Sequence, residues 1–166
     1  MAKPLLRTDN EIAEIYQRHV KAVYRVCFTY LKNPADTEDA VSDTFIRMLR
    51  AGPSFENGKH EEAWLIRTAV NVCKDFLKHW WRRRENLEEH ANSLQTDGEL
   101  ETGGILDAIC RLPDKHKAVI YLYYYEGYTS PEIAKALKKP QSTIRYYLHE
   151  ARKSLKEMIG DDFNEK

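Results

Sequence analysis

The sequence predicts an all-α fold in two small helical domains, residues 1–84 and 105–166, joined by a flexible acidic connector over residues 85–104. Three observations carry that expectation. Apolar residues recur at three- and four-residue spacing through most of the chain, and no stretch of useful length alternates with the period of a strand. The periodicity fails once, between Glu85 and Gly104, where Asn, Ser, Thr, Gly and acids make up the composition of a linker. Charge divides at the same places: residues 1–84 carry 15 Lys/Arg against 11 Asp/Glu, residues 85–104 carry 6 acids and no Lys or Arg, and residues 105–166 carry 11 bases against 9 acids. The formal net charge of zero is therefore an average over two mildly basic pieces and an acidic one. A polyanion would feel the local fields, not the average.

Taken in order, Ile12, Ile15, Tyr16, Val20, Val23, Tyr24, Cys27, Phe28 and Leu31 form one broad stripe, which predicts a first helix over 11–31. Asn33-Pro34 closes it. Asp36 is placed to cap a second helix over 37–50, with Ala40, Val41, Phe45, Met48 and Leu49 inward and Glu38, Asp39, Ser42, Asp43 and Arg47 outward. Gly52, Pro53 and Gly58 mark residues 51–58 as a loop. A third helix follows over about 60–84, with Trp64, Leu65, Ala69, Val72, Phe76 and Leu77 inward. Beyond the connector, helical pattern resumes at Ile105, Pro113-Asp114 opens a helix through about Tyr125, and Gly127 makes a turn. The tail from Gly160 is expected to fray.

Residues 128–149 read as helix, tight turn, helix. Thr129 can cap the first of these and Glu132 can close a capping box, with Pro131 in the first turn, where its missing N–H is harmless. Ile133, Ala134 and Leu137 give one helix an inner face, Ile144 and Leu148 give the next its own, and Ala134 is small where the two must cross. The second helix then presents Gln141, Ser142, Thr143, Arg145, Tyr146, His149, Arg152 and Lys153 outward. These are hydrogen-bonding and cationic groups suited to base edges and phosphates in a DNA major groove. The plain alternative is a helical hairpin with a solvated polar face.

The third helix carries a second constellation. Trp64, Arg67, Asn71, Lys74, Lys78 and Arg82 follow one another in steps of three or four, so they share one side, next to a loop that holds Phe55 and Asn57. An aromatic, an amide and a run of cations can hold a nucleic-acid backbone and stack or bond an unpaired base. The helix then ends in Lys78-His79-Trp80-Trp81-Arg82-Arg83-Arg84. A solvated face, with Trp64 in the core and the basic run complementing the helix dipole, is the alternative. It accommodates Trp80 and Trp81 poorly, because neighbours on a helix cannot both face one core.

Enzymatic readings find no support. The chain holds no GxSxG, P-loop, HExxH or glycine-rich nucleotide turn, so no catalytic residue and no cofactor is expected. Cys27, Cys73 and Cys110 are far apart, and the six histidines do not pair at ligand spacing, which argues against a metal site and a disulfide scaffold and fits a reducing cytoplasm. Glu38-Asp39 and Glu61-Glu62 sit at helix starts, where the dipole favours them. No apolar run approaches membrane-spanning length, so no membrane insertion is expected.

Two blocks carry a family resemblance. The first is Asn33-Pro34-Ala35-Asp36-Thr37-Glu38-Asp39-Ala40-Val41-Ser42-Asp43-Thr44-Phe45, with Ala63-Trp64-Leu65-Ile66-Arg67-Thr68-Ala69-Val70-Asn71-Val72-Cys73-Lys74-Asp75-Phe76-Leu77. The second is Leu112-Pro113-Asp114, Glu132-Ile133-Ala134, Ser142-Thr143-Ile144-Arg145 and Ala151-Arg152. Together they resemble a bacterial RNA polymerase sigma factor of the extracytoplasmic-function group. The resemblance implies a first domain, like sigma region 2, that docks on the β′ clamp helices of core RNA polymerase through Glu38, Asp39, Ser42, Asp43 and Arg47. It also implies that Phe55, Asn57, Trp64, Arg67, Asn71, Lys74 and Lys78 melt the −10 element and capture a flipped base. The second domain, like sigma region 4, would place the helix from Gln141 in the −35 major groove of promoter DNA and pack on the β flap. The connector would thread toward the RNA-exit path, and an anti-sigma factor would hold the free protein.

The sequence departs from the family pattern at Lys138 and Lys139, where a glycine and an apolar residue are usual, at Ser142, where glycine is common, and at Glu150, often arginine. A left-handed turn residue without glycine carries strain. A glutamate on the recognition helix accepts rather than donates, so it would favour cytosine N4 or repel phosphate. The rival class is a stand-alone helix-turn-helix regulator, which needs a dimerisation surface and paired half-sites. An anti-sigma or adaptor protein would not need the groove-facing set.

Overall fold

The computed structural model describes residues 6–86 and 104–160, and every regular element among them is an α-helix. The helices fall into two compact units, divided between Asp97 and Gly98. Most of the acidic connector, residues 87–103, lies outside the described residues, as does the tail from residue 161.

The first unit packs α1 (Asp9–Leu31), α2 (Pro34–Ala51) and α3 (Gly58–Asn86) pairwise against one another. Val23, Val26, Cys27, Ala40, Met48, Leu65, Ile66, Ala69, Val72 and Cys73 fill its centre. The ends of these helices correct the sequence reading. α1 starts at Asp9 because Thr8 caps it in a full capping box with Glu11. It ends at Lys32, which turns into the left-handed region at φ 63° and donates its N–H to the Phe28 carbonyl. Asn33-Pro34 thus opens α2 rather than closing α1: Asn33 Oδ1 accepts from the Asp36 amide at 2.8 Å, and Pro34 stands in the first turn. Asp36 is consequently not the cap. Gly52, at φ 53°, ends α2.

Two residues of the first unit expected inward are exposed instead. Leu49 is 46% exposed, because it falls past the edge of the stripe formed by Thr37, Ala40, Val41, Thr44, Phe45 and Met48. Tyr16 is 45% exposed, with its ring tilted on Phe45 at 4.9 Å.

The second unit holds α4 (Gly104–Cys110), α5 (Asp114–Tyr124), α6 (Ser130–Leu137) and α7 (Gln141–Ile159), with α7 packed on the other three. Leu106, Ile109, Ile120, Tyr121, Leu122, Ile133, Ile144, Ala151 and Leu155 form the core. The capping box of α6 is present: the Thr129 amide donates to Glu132 Oε1 at 2.9 Å, and Thr129 Oγ1 accepts from the Glu132 amide. The buried small residue of α6 is Ala136; Ala134, expected at the crossing, is only half-buried, as is Leu137. Lys138 takes the left-handed conformation at φ 55°, and both its amide and that of Lys139 donate to the Ala134 carbonyl. A lysine here occupies a backbone region that costs a side chain about 1 kcal/mol.

Candidate nucleic-acid interface

The stripe along α3 forms as its spacing requires. Asn71, Lys74 and Lys78 are exposed, while Trp64 and Arg67 are half-buried at the end nearest the loop. The side chains of Trp80, Trp81, Arg82, Arg83 and Arg84 lie outside the described residues, although the helix continues through them to Asn86.

The loop over residues 52–57 brings Phe55 onto this end of α3. Its half-buried ring meets Trp64 at 6.0 Å and His60 at 5.6 Å, both edge-on. The Arg7 guanidinium lies over the ring at 5.1 Å and also donates to the Pro53 carbonyl. Asn57 has a backbone duty: its Oδ1 accepts from the His60 amide at 2.8 Å, which caps α3. The Glu56 amide donates to His60 Nδ1 at 3.0 Å, so the loop is tied to the first turn of the helix it feeds.

A buried polar cluster that sequence reasoning missed braces the same turn. Glu61 Oε1 receives His19 Nε2 at 2.6 Å and the Arg18 guanidinium at 2.9 Å, and Glu62 stands 3.8 Å from His19 Nδ1. Burial alone would lower the His19 pKa, but the nearby Glu62 carboxylate and the hydrogen-bonded, charged Glu61 outweigh it and raise the pKa above the ordinary value of 6.5. The signal was there: His19 lies midway between Ile15 and Val23 on the inner stripe, and a buried imidazole needs a partner. The helix dipole favours Glu61 and Glu62 at this helix start as well, and that simpler role masks their second duty in the sequence.

On α2, Glu38, Asp39 and Ser42 are exposed, and Asp43 and Arg47 are half-exposed. Arg47 does not stand apart, since its guanidinium pairs with Asp75 of α3 at 2.9 Å. Glu38 reaches Tyr24 electrostatically; burial first and this carboxylate second push the phenol pKa up.

On α7, Gln141, Ser142, Arg145, Tyr146, His149 and Lys153 are exposed, Tyr146 by 57%, and Thr143 is half-buried. Arg152 departs from the outward set. Its guanidinium lies 4.5 Å over the Tyr123 ring, and its Nε is buried. Beside it, Tyr147 packs on His116 at 5.3 Å. Both ring nitrogens of His116 are buried without a hydrogen-bond partner, and burial, then Lys115, lower its pKa against a small opposing pull from Glu150. Among the described residues no group of three His, Cys, Asp or Glu comes together to hold a metal, and no helix is long and apolar enough to cross a membrane.

The sequence patterns of known families divide along the same units. Sigma-70 region 2 matches residues 15–86, and Sigma-70, region 4 matches residues 103–155. The ECF RNA polymerase sigma factor SigW of Bacillus subtilis (strain 168) is 26% identical over 173 residues, covering 92% of this chain and 91% of that protein. The chain belongs to the extracytoplasmic-function sigma factors.

This sigma factor is also 28% identical over 162 residues to the ECF RNA polymerase sigma factor SigE of Mycolicibacterium smegmatis, covering 92% of this chain but only 63% of that longer relative. The sigma factor RpoE from Bartonella quintana, solved in complex with the anti-sigma factor NepR, shares the fold with a TM-score of 0.68 at 19% identity, over 92% of this chain and 99% of that one. As a sigma factor the chain directs RNA polymerase to promoters at transcription initiation, a role that family members fill without enzymatic chemistry. The region 2 match begins within α1, so Arg7 and the Thr8–Glu11 capping box precede it.

Proposed function

We propose that the two units of this sigma factor divide promoter recognition between unpaired and duplex DNA. The observation that carries this reading is the asymmetry of their exposed faces. α3 aligns exposed Asn71, Lys74 and Lys78 with Arg67, Trp64 and the Phe55 loop, an aromatic-and-cation surface suited to single-stranded −10 DNA. α7 presents Gln141, Ser142, Arg145, Tyr146, His149 and Lys153 after a tight turn, a set suited to the −35 major groove. Asn57 spends its carbonyl oxygen on capping α3, which leaves its amide group to meet a base edge. Glu38, Asp39, Ser42 and Asp43, with Arg47 at their margin, form the dock for the β′ clamp helices, and the second unit packs on the β flap. Residues 1–84, 85–104 and 105–166 act as −10 domain, tether and −35 domain. The protein works in the cytoplasm as a non-catalytic subunit without a metal or cofactor, and an anti-sigma factor restrains it.

Run-off transcription with core polymerase over a promoter library tests the reading. A defined −10/−35 pair should emerge with wild type, and Asn71→Ala with Lys74→Ala should depress open-complex formation while core binding holds. Each lost base contact costs roughly 1–3 kcal/mol, and permanganate reactivity of the −10 region reports it. Failure to co-purify with core polymerase would instead favour a stand-alone regulator.

A further inference from the structure

Arg7 lies outside the region 2 match, yet it makes two separate contacts with the loop proposed to take the flipped base. Its guanidinium covers the Phe55 ring at 5.1 Å and donates to the Pro53 carbonyl. Phe55 in turn meets Trp64 and His60 on α3. We infer that Arg7 is a positioning residue for base capture: it anchors the loop at both backbone and ring, and so holds Phe55 in place before DNA arrives.

The anchor is itself rigidly mounted. Thr8, the next residue, is locked by the reciprocal capping box with Glu11, so the backbone that presents Arg7 belongs to the fixed start of α1. Farther along, α1 also grips the opposite end of the loop, where Arg18 and His19 bind Glu61 in the first turn of α3. The loop, between the caps Gly52 and Asn57, is therefore braced at one end by the residue that precedes the α1 cap and at the other by α1 itself. A planar guanidinium can stack and donate at the same time, which a lysine ammonium cannot reproduce. An unbraced Phe55 would have to be ordered on binding, at a cost of about a few-fold to tenfold in affinity.

The inference rests on the proposed capture of a −10 base by this loop, so the experiment carries a control for each. Holoenzyme with wild type, Arg7→Ala, Arg7→Lys and Phe55→Ala is incubated with a randomised single-stranded DNA pool, and the recovered strands are sequenced; thermal melting and core affinity are measured in parallel. Arg7→Ala should flatten the base preference at the captured position and weaken binding by about fivefold to tenfold, with melting and core affinity unchanged. Arg7→Lys, which keeps the charge, should recover little of the preference. If Arg7→Ala weakens all sequences alike and Arg7→Lys restores them, Arg7 is a phosphate contact and the inference is overturned. Should Phe55→Ala lose the preference while Arg7→Ala keeps it, the inference fails but the capture reading stands. A silent Phe55→Ala would remove both.

Discussion

His19 in the first unit and His116 in the second are both buried, yet one lies against two glutamates and the other against an aromatic ring and a lysine. His19 binds its proton more tightly folded than unfolded. Its contribution to stability is fully present below the ordinary pKa of 6.5 and is lost as pH rises through the higher folded value. His116 binds its proton less tightly when folded, so the second unit is undisturbed above 6.5 and loses stability as pH falls through the lowered value. Mild acid therefore supports the first unit while it loosens the second. In the first unit a charge pair serves as a structural brace; in the second a polar ring serves as a packing surface.

The largest expected effect comes from breaking the brace. Glu61→Ala should destabilise the first unit by about 1–3 kcal/mol, because it removes the acceptor of the buried His19 ring and of the Arg18 guanidinium at once. Glu61→Gln keeps the volume and an acceptor, so it should cost less while the His19 pKa falls. Chemical denaturation measures the first effect, and proton NMR titration of the two imidazoles the second. Titration of His19 below His116 would remove the contrast.

Removing the buried polar group of the second unit should have the opposite sign. His116→Phe keeps a ring against Tyr147 and deletes two buried nitrogens without partners. Burying such groups costs about 1–3 kcal/mol in protein hosts, so the variant should be more stable by about 1 kcal/mol and should lose its acid sensitivity. A drop in stability at pH 7 would mean that the imidazole is bonded after all.

The two units also share a feature, since each puts one lysine in a left-handed turn. In the first, α2 ends on Gly52, but α1 ends on Lys32 at φ 63°; in the second, α6 ends on Lys138 at φ 55°. Lys32→Gly and Lys138→Gly should each stabilise the fold by about 1 kcal/mol, read as a rise in Tm. Lys138→Gly has a second use, because it restores the residue usual in this family's turn. If −35 affinity also changes, the lysine turn sets how α7 enters the groove.

Local signals made much of this legible. The capping box at Thr129 and Glu132, the helix start after Pro113, and the α3 stripe all follow from spacing over one or two turns, which a sequence displays directly. Two kinds of feature did not show. Where two residues compete for one local duty, as Asn33 and Asp36 do for the cap of α2, backbone geometry decides between them. And where partners are far apart in sequence, as Arg7 is from Phe55 and His19 from Glu61, only the fold brings them together. Arg152 combines both: its spacing puts it with the outward-facing cations of α7, and Tyr123 on α5 draws it back.

The smallest expected effect concerns Arg47, where the two duties of a surface residue can be separated. Its ion pair with Asp75 is 40% and 53% exposed, so water and salt screen it. Such pairs contribute roughly 0.2–1 kcal/mol, and Arg47→Ala should lie near the lower end of that range in denaturation. Asp75→Ala removes the same pair from the α3 side, so the two variants and their double mutant form a cycle. If Arg47 serves only to join α2 to α3, both single variants should leave affinity for core polymerase at the wild-type level. If it also belongs to the dock with Glu38, Asp39 and Asp43, Arg47→Ala should weaken core binding while Asp75→Ala, which frees the guanidinium, does not. Fluorescence titration at low salt reads the difference, and it should shrink as ionic strength shortens the range of the charge.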